Sequence, residues 1–365
     1  MRNTFIILLT LTIYVFNSKA QDVANSDTLS NSRSKKFLIF PFVLKSPETN
    51  WGFGLASAYF FKAKADDNDI RTSDVNLVSL YTLNKQVLVV LGSTVYFPKE
   101  KYIFRWQSSY SYYPDKFWGI GNSSVKSDEE DYSIKQFYIN PQFLIRTYKK
   151  FYFGLSAEFQ SVNDFTYSAG GVFDQQDVAG RNGGNTSGLG MLITVDSRNN
   201  AYSPSKGGFV EFNLTRFGKL FGSDFDFTTY SLELKKFYKI GLNRVFAAQL
   251  YGKMNTGEAP VRNLALLGGS EMMRGFYKGR YADKDMITSQ VEVRQYLFWR
   301  LGVVAFGGAG QVSDNLNQLR WDRLHYSYGA GLRIMVKEKE KLNLRVDYGI
   351  AEGGSGVYVI LKEAF

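Results

Sequence analysis

An antiparallel β-barrel crossing an outer membrane is the fold this sequence predicts, and three observations predict it. The first is alternation. Leu342, Leu344, Val346 and Tyr348 share one face of an extended segment, while Asn343, Arg345 and Asp347 share the other. Ile287, Val291, Val293 and Leu297 oppose Thr288, Gln290, Glu292 and Arg294 in the same way. Tyr230, Leu232 and Leu234 oppose Ser231, Glu233 and Lys235. Period-two alternation gives a strand one apolar and one polar face. The second observation is strand length and what stands at the strand ends. The alternating segments run about ten residues or more, as a tilted membrane strand must. Tyr110, Tyr112 and Tyr113, then Phe117 and Trp118, then Tyr296, Phe298 and Trp299 crowd rings at segment ends, in the manner of an aromatic girdle. The third is composition. The 365 residues include 30 Phe, 24 Tyr and 34 Gly, while charged residues make up an ordinary 21%. A soluble sandwich also alternates, with its apolar face inward. In a membrane barrel the polar face lines a wet lumen instead.

Along the chain, residues 1–20 read as a secretory signal peptide. Met1-Arg2-Asn3 carries the charge, Phe5 to Phe16 forms the apolar run, and Ser18 and Ala20 are the small residues before cleavage ahead of Gln21. The run is about a dozen residues, short of the ~20 that span a bilayer as a helix. Residues 21–36 are polar, end in Arg33-Ser34-Lys35-Lys36 and read as a short flexible tail. The barrel is expected over 37–365. Sixteen candidate strands lie near 37–46, 51–63, 73–83, 86–97, 101–113, 132–146, 150–162, 187–196, 207–217, 225–239, 242–255, 286–298, 302–312, 325–336, 341–350 and 356–365. An even count is what a single-chain bacterial barrel requires. Asn84-Lys85, Lys149-Lys150 and Gly241 read as periplasmic turns. Trp118 to Asp131, Asn163 to Thr186 and Thr256 to Lys284 read as outer loops, the second of them mobile on its Gly, Asp and Asn content. The last strand is expected to close on the aromatic Phe365, a C-terminal strand signal.

Composition also excludes chemistry. Without cysteine there is no disulfide framework, thiolate metal site or cysteine nucleophile. His325 is the single histidine, so a multi-histidine zinc site is excluded. No catalytic residue, cofactor or metal site is expected. His325, at a strand start beside Tyr326 and Tyr328, reads as an interfacial polar residue. Asp128-Glu129-Glu130-Asp131 reads as a solvated loop tip, with a divalent ion bridging lipopolysaccharide as the sharper alternative. Basic charge near the strand ends suits anionic headgroups. No basic patch on a soluble face invites nucleic acid.

The long segment before the strand at 286–298 reads Leu266-Leu267-Gly268-Gly269-Ser270-Glu271-Met272-Met273-Arg274-Gly275-Phe276-Tyr277. Its Met273-Arg274-Gly275-Phe276 resembles the [V/I]RG[F/Y] hallmark of the BamA/TamA outer-membrane barrels, the bacterial surface antigen family. Met stands where that family carries a branched aliphatic. Asp196-Ser197-Arg198-Asn199-Asn200, followed by Pro204 and Gly207, resembles its strand-turn-strand motif. Glu292 matches the family's acid on the following strand, and Tyr328 to Arg333 and Leu344 to Gly349 resemble its last strands. The resemblance covers roughly 187–365.

The resemblance implies that the loop folds back into the lumen and that Arg274 pairs with an acid on the wall. Glu292 has the lumen parity of its strand, which makes it the expected partner. Gly275 would give the sharp turn and Phe276 an anchor. One departure stands out. Gly308 occupies the place of the family's second acid, in Phe306-Gly307-Gly308-Ala309-Gly310. Either the clamp uses one acid, or another residue such as Asp314 replaces it.

The implied role is to assist insertion, translocation or assembly of protein, or of lipid, at the outer membrane. It would act through a weak seam where Phe37 to Lys45 meets Val357 to Phe365. Pro41 and Pro47 would each remove a donor there, although Pro41 reads equally as an ordinary edge residue. The periplasmic POTRA domains of the family's protein-handling members do not fit within 21–36. The expected partners are therefore outer-membrane lipid and lipopolysaccharide, a periplasmic or lipoprotein helper that supplies a receiving domain, and an unnamed client. The alternative is a passive pore or structural barrel.

Overall fold

The structure is a computed structural model that describes residues 36–62, 72–338 and 341–365. The expected signal peptide and all of the tail but Lys36 lie outside these residues. The strands are β1 (Lys36–Ser46), β2 (Asn50–Phe61), β3 (Ser73–Thr82), β4 (Val87–Tyr96), β5 (Tyr102–Phe117), β6 (Glu130–Tyr148), β7 (Phe151–Thr166), β8 (Gly184–Asp196), β9 (Gly207–Phe217), β10 (Phe227–Ile240) and β11 (Arg244–Gly257). Two short strands follow, β12 (Ala265–Leu267) and β13 (Tyr281–Asp283). Then come β14 (Asp285–Tyr296), β15 (Leu301–Ser313), β16 (His325–Lys337), β17 (Leu342–Ala351) and β18 (Gly354–Leu361). All but β12 and β13 close into one antiparallel barrel of sixteen strands in sequence order, β11 lying next to β14 and β18 next to β1. The short pair forms its own two-stranded sheet inside the long loop.

The period-two pattern turns the usual protein inside out. Leu155 is 62% exposed and Leu332 55%, on the outer surface, while Glu292, Arg345 and Asp347 are 0% exposed within. An exposed apolar band of this extent belongs against lipid, and closure pairs the backbone along full ladders at every junction but the one between β1 and β18.

Antiparallel strands alternate ends, which corrects one expectation. The β3–β4 turn at Asn84-Lys85 lies at the same end as the long loops, opposite Lys149-Lys150 and Gly241. Asn84 Nδ2 donates to Glu48 O at 2.8 Å, and the Glu48 carboxylate accepts Lys278 N–H of the long loop at 2.8 Å. Turn length alone does not tell the ends apart.

The loop between β7 and β8 also departs from its expected character. A single helical turn, Val172–Gln175, puts Phe173 under full cover, stacked on Phe117 at 4.4 Å. Glu130, read as part of a solvated tip, is buried, and its carboxylate accepts Ser168 N–H at 2.9 Å and Phe173 N–H at 3.1 Å. Two backbone donors and an aromatic anchor outweigh a composition that suggests mobility.

The closing strand is shorter than expected. β18 stops at Leu361, Lys362 takes φ +83°, and Glu363, Ala364 and Phe365 are buried beyond the strand. Phe365 therefore packs against Phe237 and Ala247 of the lumen wall and does not complete the seam. Pro41 is within β1, paired with Leu55, and Pro47 lies in the turn after it.

Candidate functional site: a loop held in the lumen beside an open seam

The segment 258–284 enters the lumen from the long-loop end. Its hairpin β12–β13 packs in an apolar cluster of Ala265, Leu267, Met273, Phe276, Tyr281, Met286 and Val312. The Met273-Arg274-Gly275-Phe276 turn lies directly on the wall. Met273 has φ +53° and Gly275 +116°. A Cβ on Gly275 would come within 2.8 Å of the Ile350 carbonyl carbon, and one on Gly349 within 2.6 Å of that of Arg274. Gly308 has a matching use: a Cβ there would stand 3.1 Å from Met273 Sδ. The glycine that replaces the family's second acid makes room for the loop.

Arg274 is fully buried. Its Nη2 donates to Glu292 Oε1, and its Nη1 donates to Asp347 Oδ2 at 2.6 Å. The guanidinium carbon sits 3.5 Å from the Phe306 ring centroid, a cation–π stack that suits the planar cation. The second acid is therefore Asp347 of β17. Asp314 pairs instead with Lys284 Nζ at 2.7 Å. Asp347 had the lumen parity of its strand from the start. Its nearness to Arg274 depends on β14 and β17 facing the same loop across the two strands between them, and no local pattern carries that.

Further arginines that sequence reasoning passed over complete the arrangement. Arg294 Nε donates to Glu292 Oε2 at 2.8 Å, and Arg345 Nη1 to Asp347 Oδ2 at 3.0 Å. Arg345 Nη2 holds Ser270 O of the loop at 2.8 Å. Buried charges survive only when paired and hydrogen-bonded, and such a group fixes geometry more than it adds net stability. Phe276 is buried edge-on to Tyr281 and His325. His325 itself stacks on Tyr281 at 3.8 Å, with its Nε2 3.1 Å from Asn122 O. Gly275 N–H donates to Tyr358 Oη at 2.9 Å, tying the loop to β18.

The motif at 196–207 lies at the other end of the barrel. Asp196 holds Arg198 through two bonds of 3.0 Å, Pro204 is buried, and Gly207, at φ +95°, has no room for a Cβ beside Ser197 O. It shapes the β8–β9 turn and does not touch Arg274.

The seam contrasts with every other junction. β1 pairs β2 along its whole length, from Lys36↔Phe60 to Ser46↔Asn50, and β18 pairs β17 from Gly354↔Ala351 to Leu361↔Leu344. Between β1 and β18, among the described residues, Lys45↔Val359 is the register pair.

A closed sixteen-stranded barrel with a long loop clamped on its inner wall by an Arg-Gly-Phe turn defines the class of BamA/TamA-type outer-membrane barrels. Residues 78–351 match the Omp85 superfamily domain. The chain belongs to the Omp85 superfamily. It is similar in fold to BamA from Haemophilus ducreyi, in a form lacking POTRA domains 1–3, with TM-score 0.60 and 12% identity over 90% of this chain and 70% of that one. It is also similar to CdiB from Acinetobacter baumannii, with TM-score 0.59 and 12% identity over 89% of this chain and 60% of that one. CdiB from Escherichia coli gives TM-score 0.59 and 10% identity over 92% of this chain and 64% of that one. This chain thus spans less than two thirds of either CdiB. A search of curated proteins gives no match.

Proposed function

We propose that this barrel assists insertion or translocation of protein at the bacterial outer membrane by parting between β1 and β18. The observation that carries the reading is the seam, where Lys45↔Val359 stands against full ladders on either side. Each missing ladder bond withholds about 1 kcal/mol, and unpaired backbone in lipid favours pairing with an incoming strand. The clamped loop supports the reading from the other side. It fixes β14 and β17 as the rigid wall against which β1 can move. A passive pore is the weaker reading, because the loop and the residues after β18 occupy the lumen.

The test uses the absence of native cysteine. Partners in an antiparallel ladder stand about 4.5–5.5 Å apart at Cα, within disulfide reach. Lys45→Cys with Val359→Cys should lock the seam when oxidised. The locked barrel is expected to lose support of outer-membrane protein assembly or secretion in its native cell, with recovery on reduction. Undiminished function in the locked state would overturn the proposal and turn attention to conductance. Co-purification in mild detergent should also recover a periplasmic or lipoprotein helper. A barrel that purifies alone would favour the pore.

A further inference from the structure

We infer that Glu363-Ala364-Phe365 form a latch that holds the lumen loop closed from the opposite end of the barrel. The proposal concerns how the loop is held and does not rest on what the seam admits. Glu363 Oε2 accepts Arg333 Nε at 2.7 Å and lies 3.8 Å from Arg294 Nε, and Glu363 Oε1 accepts Asn343 Nδ2 at 2.6 Å. Arg333 Nη1 donates to Asp347 Oδ1 at 2.5 Å. Arg294 Nη2 donates to Phe365 O at 2.9 Å, and its guanidinium carbon is 5.4 Å from the Phe365 ring centroid.

These contacts close a ring of alternating charge. It runs from Arg274 through Glu292, Arg294, Glu363, Arg333 and Asp347 back to Arg274. The loop enters the ring as Arg274 and the residues after β18 enter it as Glu363, while the other four members belong to the wall. Glu363 and Arg274 do not touch. They compete for nothing and share the same two intermediates on each side. Removing Glu363 leaves Arg294 and Arg333 with only Glu292 and Asp347 to neutralise them. Those two acids would then be drawn from Arg274, because a buried cation without a partner is costly. Tyr358 ties the loop to β18 itself by a separate path, accepting Gly275 N–H.

The latch also has a point of release. Lys362 is a non-glycine residue at φ +83°, a conformation that persists only when its surroundings impose it. Here Lys362 N–H donates to Asn343 O at 2.7 Å and its Nζ pairs with Glu271 of the loop at 2.8 Å, with the buried Glu363 and Phe365 following directly.

The inference is tested by hydrogen exchange of the full chain in detergent, read on amides 268–279. Glu363→Gln, Phe365→Ala and deletion of 363–365 are compared with the parent. Each variant should speed exchange in this segment by about tenfold or more, the deletion most, with β5–β6 amides unchanged. Linkage requires the reverse effect as well: Arg274→Lys should speed exchange at Lys362 and Glu363. If the deletion prevents folding, seen as loss of the heat-modifiable band, the two single substitutions decide. Unchanged loop exchange in folded variants would overturn the latch.

Discussion

Two stretches of wall a few strands apart are held by different means. Between β14 and β17 the inner face carries Glu292, Arg294, Arg333, Arg345 and Asp347, all buried and cross-linked by charge to a loop. Across the seam, the inner face of β1 and its neighbours carries Phe42 and Leu44 against Gly52 and Gly54, with Leu80 beyond. One wall is fixed by directional bonds to its contents. The other relies on its ladder with β2 and on apolar contact, and apolar contact has no preferred direction. Stiffness is therefore distributed around this barrel by the lumen face, since both walls show lipid much the same exterior.

The difference between the walls shrinks most if the fixed wall loses its central cation. Arg274→Ala leaves Glu292 and Asp347 short of a buried partner, and should cost about 3–5 kcal/mol. Loss of heat-modifiable mobility at lower temperature would register it. If the melting profile were unaltered, the wall would not depend on the loop. Next comes Gly275→Ala, which imposes φ +116° on a side chain with no room beside Ile350. The expected cost is about 1–3 kcal/mol, measurable as faster proteolysis of the loop. The seam can be sharpened in the opposite direction. Pro41→Ala restores one N–H to β1, and the gain should be no more than about 1 kcal/mol, seen as slower exchange in β1. A gain equal to the loss at Arg274 would erase the contrast.

The smallest effect lies in the hairpin packed on the fixed wall, away from the charged cluster. Burial raises the Asp283 carboxyl from 3.8 to about 6, with Asp314 adding to the rise and Lys284 N–H opposing it. A raised acid costs the fold nothing below its ordinary value, costs more between pH 4 and 6, and costs fully above. Exchange in the β12–β13 hairpin, corrected for intrinsic rate, should therefore be slower at pH 5 than at pH 7.5. Asp283→Asn should remove the difference. A hairpin indifferent to pH in the parent would contradict this sign.

Much of this architecture was legible because a strand reports its own faces. The polar parity of Asn343, Arg345 and Asp347 shows directly as burial, and the sixteen strand positions follow from turns and alternation. What stayed hidden depends on relations between distant strands. Asp347 could be assigned to the lumen but not to Arg274. Arg294 reads as an ordinary polar-face residue, and Arg333 only as the end of a stretch resembling the family's last strands. Asn84-Lys85 looked like the other short turns because brevity does not say which end a turn occupies. The turn inward after Leu361 had no signal either, since Lys-Glu-Ala-Phe continues a strand as readily as it leaves one. Phe173 was masked by the glycines and acids around it.

The charge ring has a consequence for the order of assembly. Its members are spread from Arg274 to Glu363, so the ring cannot form from any early piece of the barrel. Contacts this remote in sequence are gained late, after the intervening chain has been ordered. Until β18 is in place, Arg274 has Glu292 and Asp347 but no closed ring, and the apolar packing around Phe276 carries more of the loop's hold. Barrel completion and ring closure are thus one step, because Glu363, the member that follows β18, is the last to arrive.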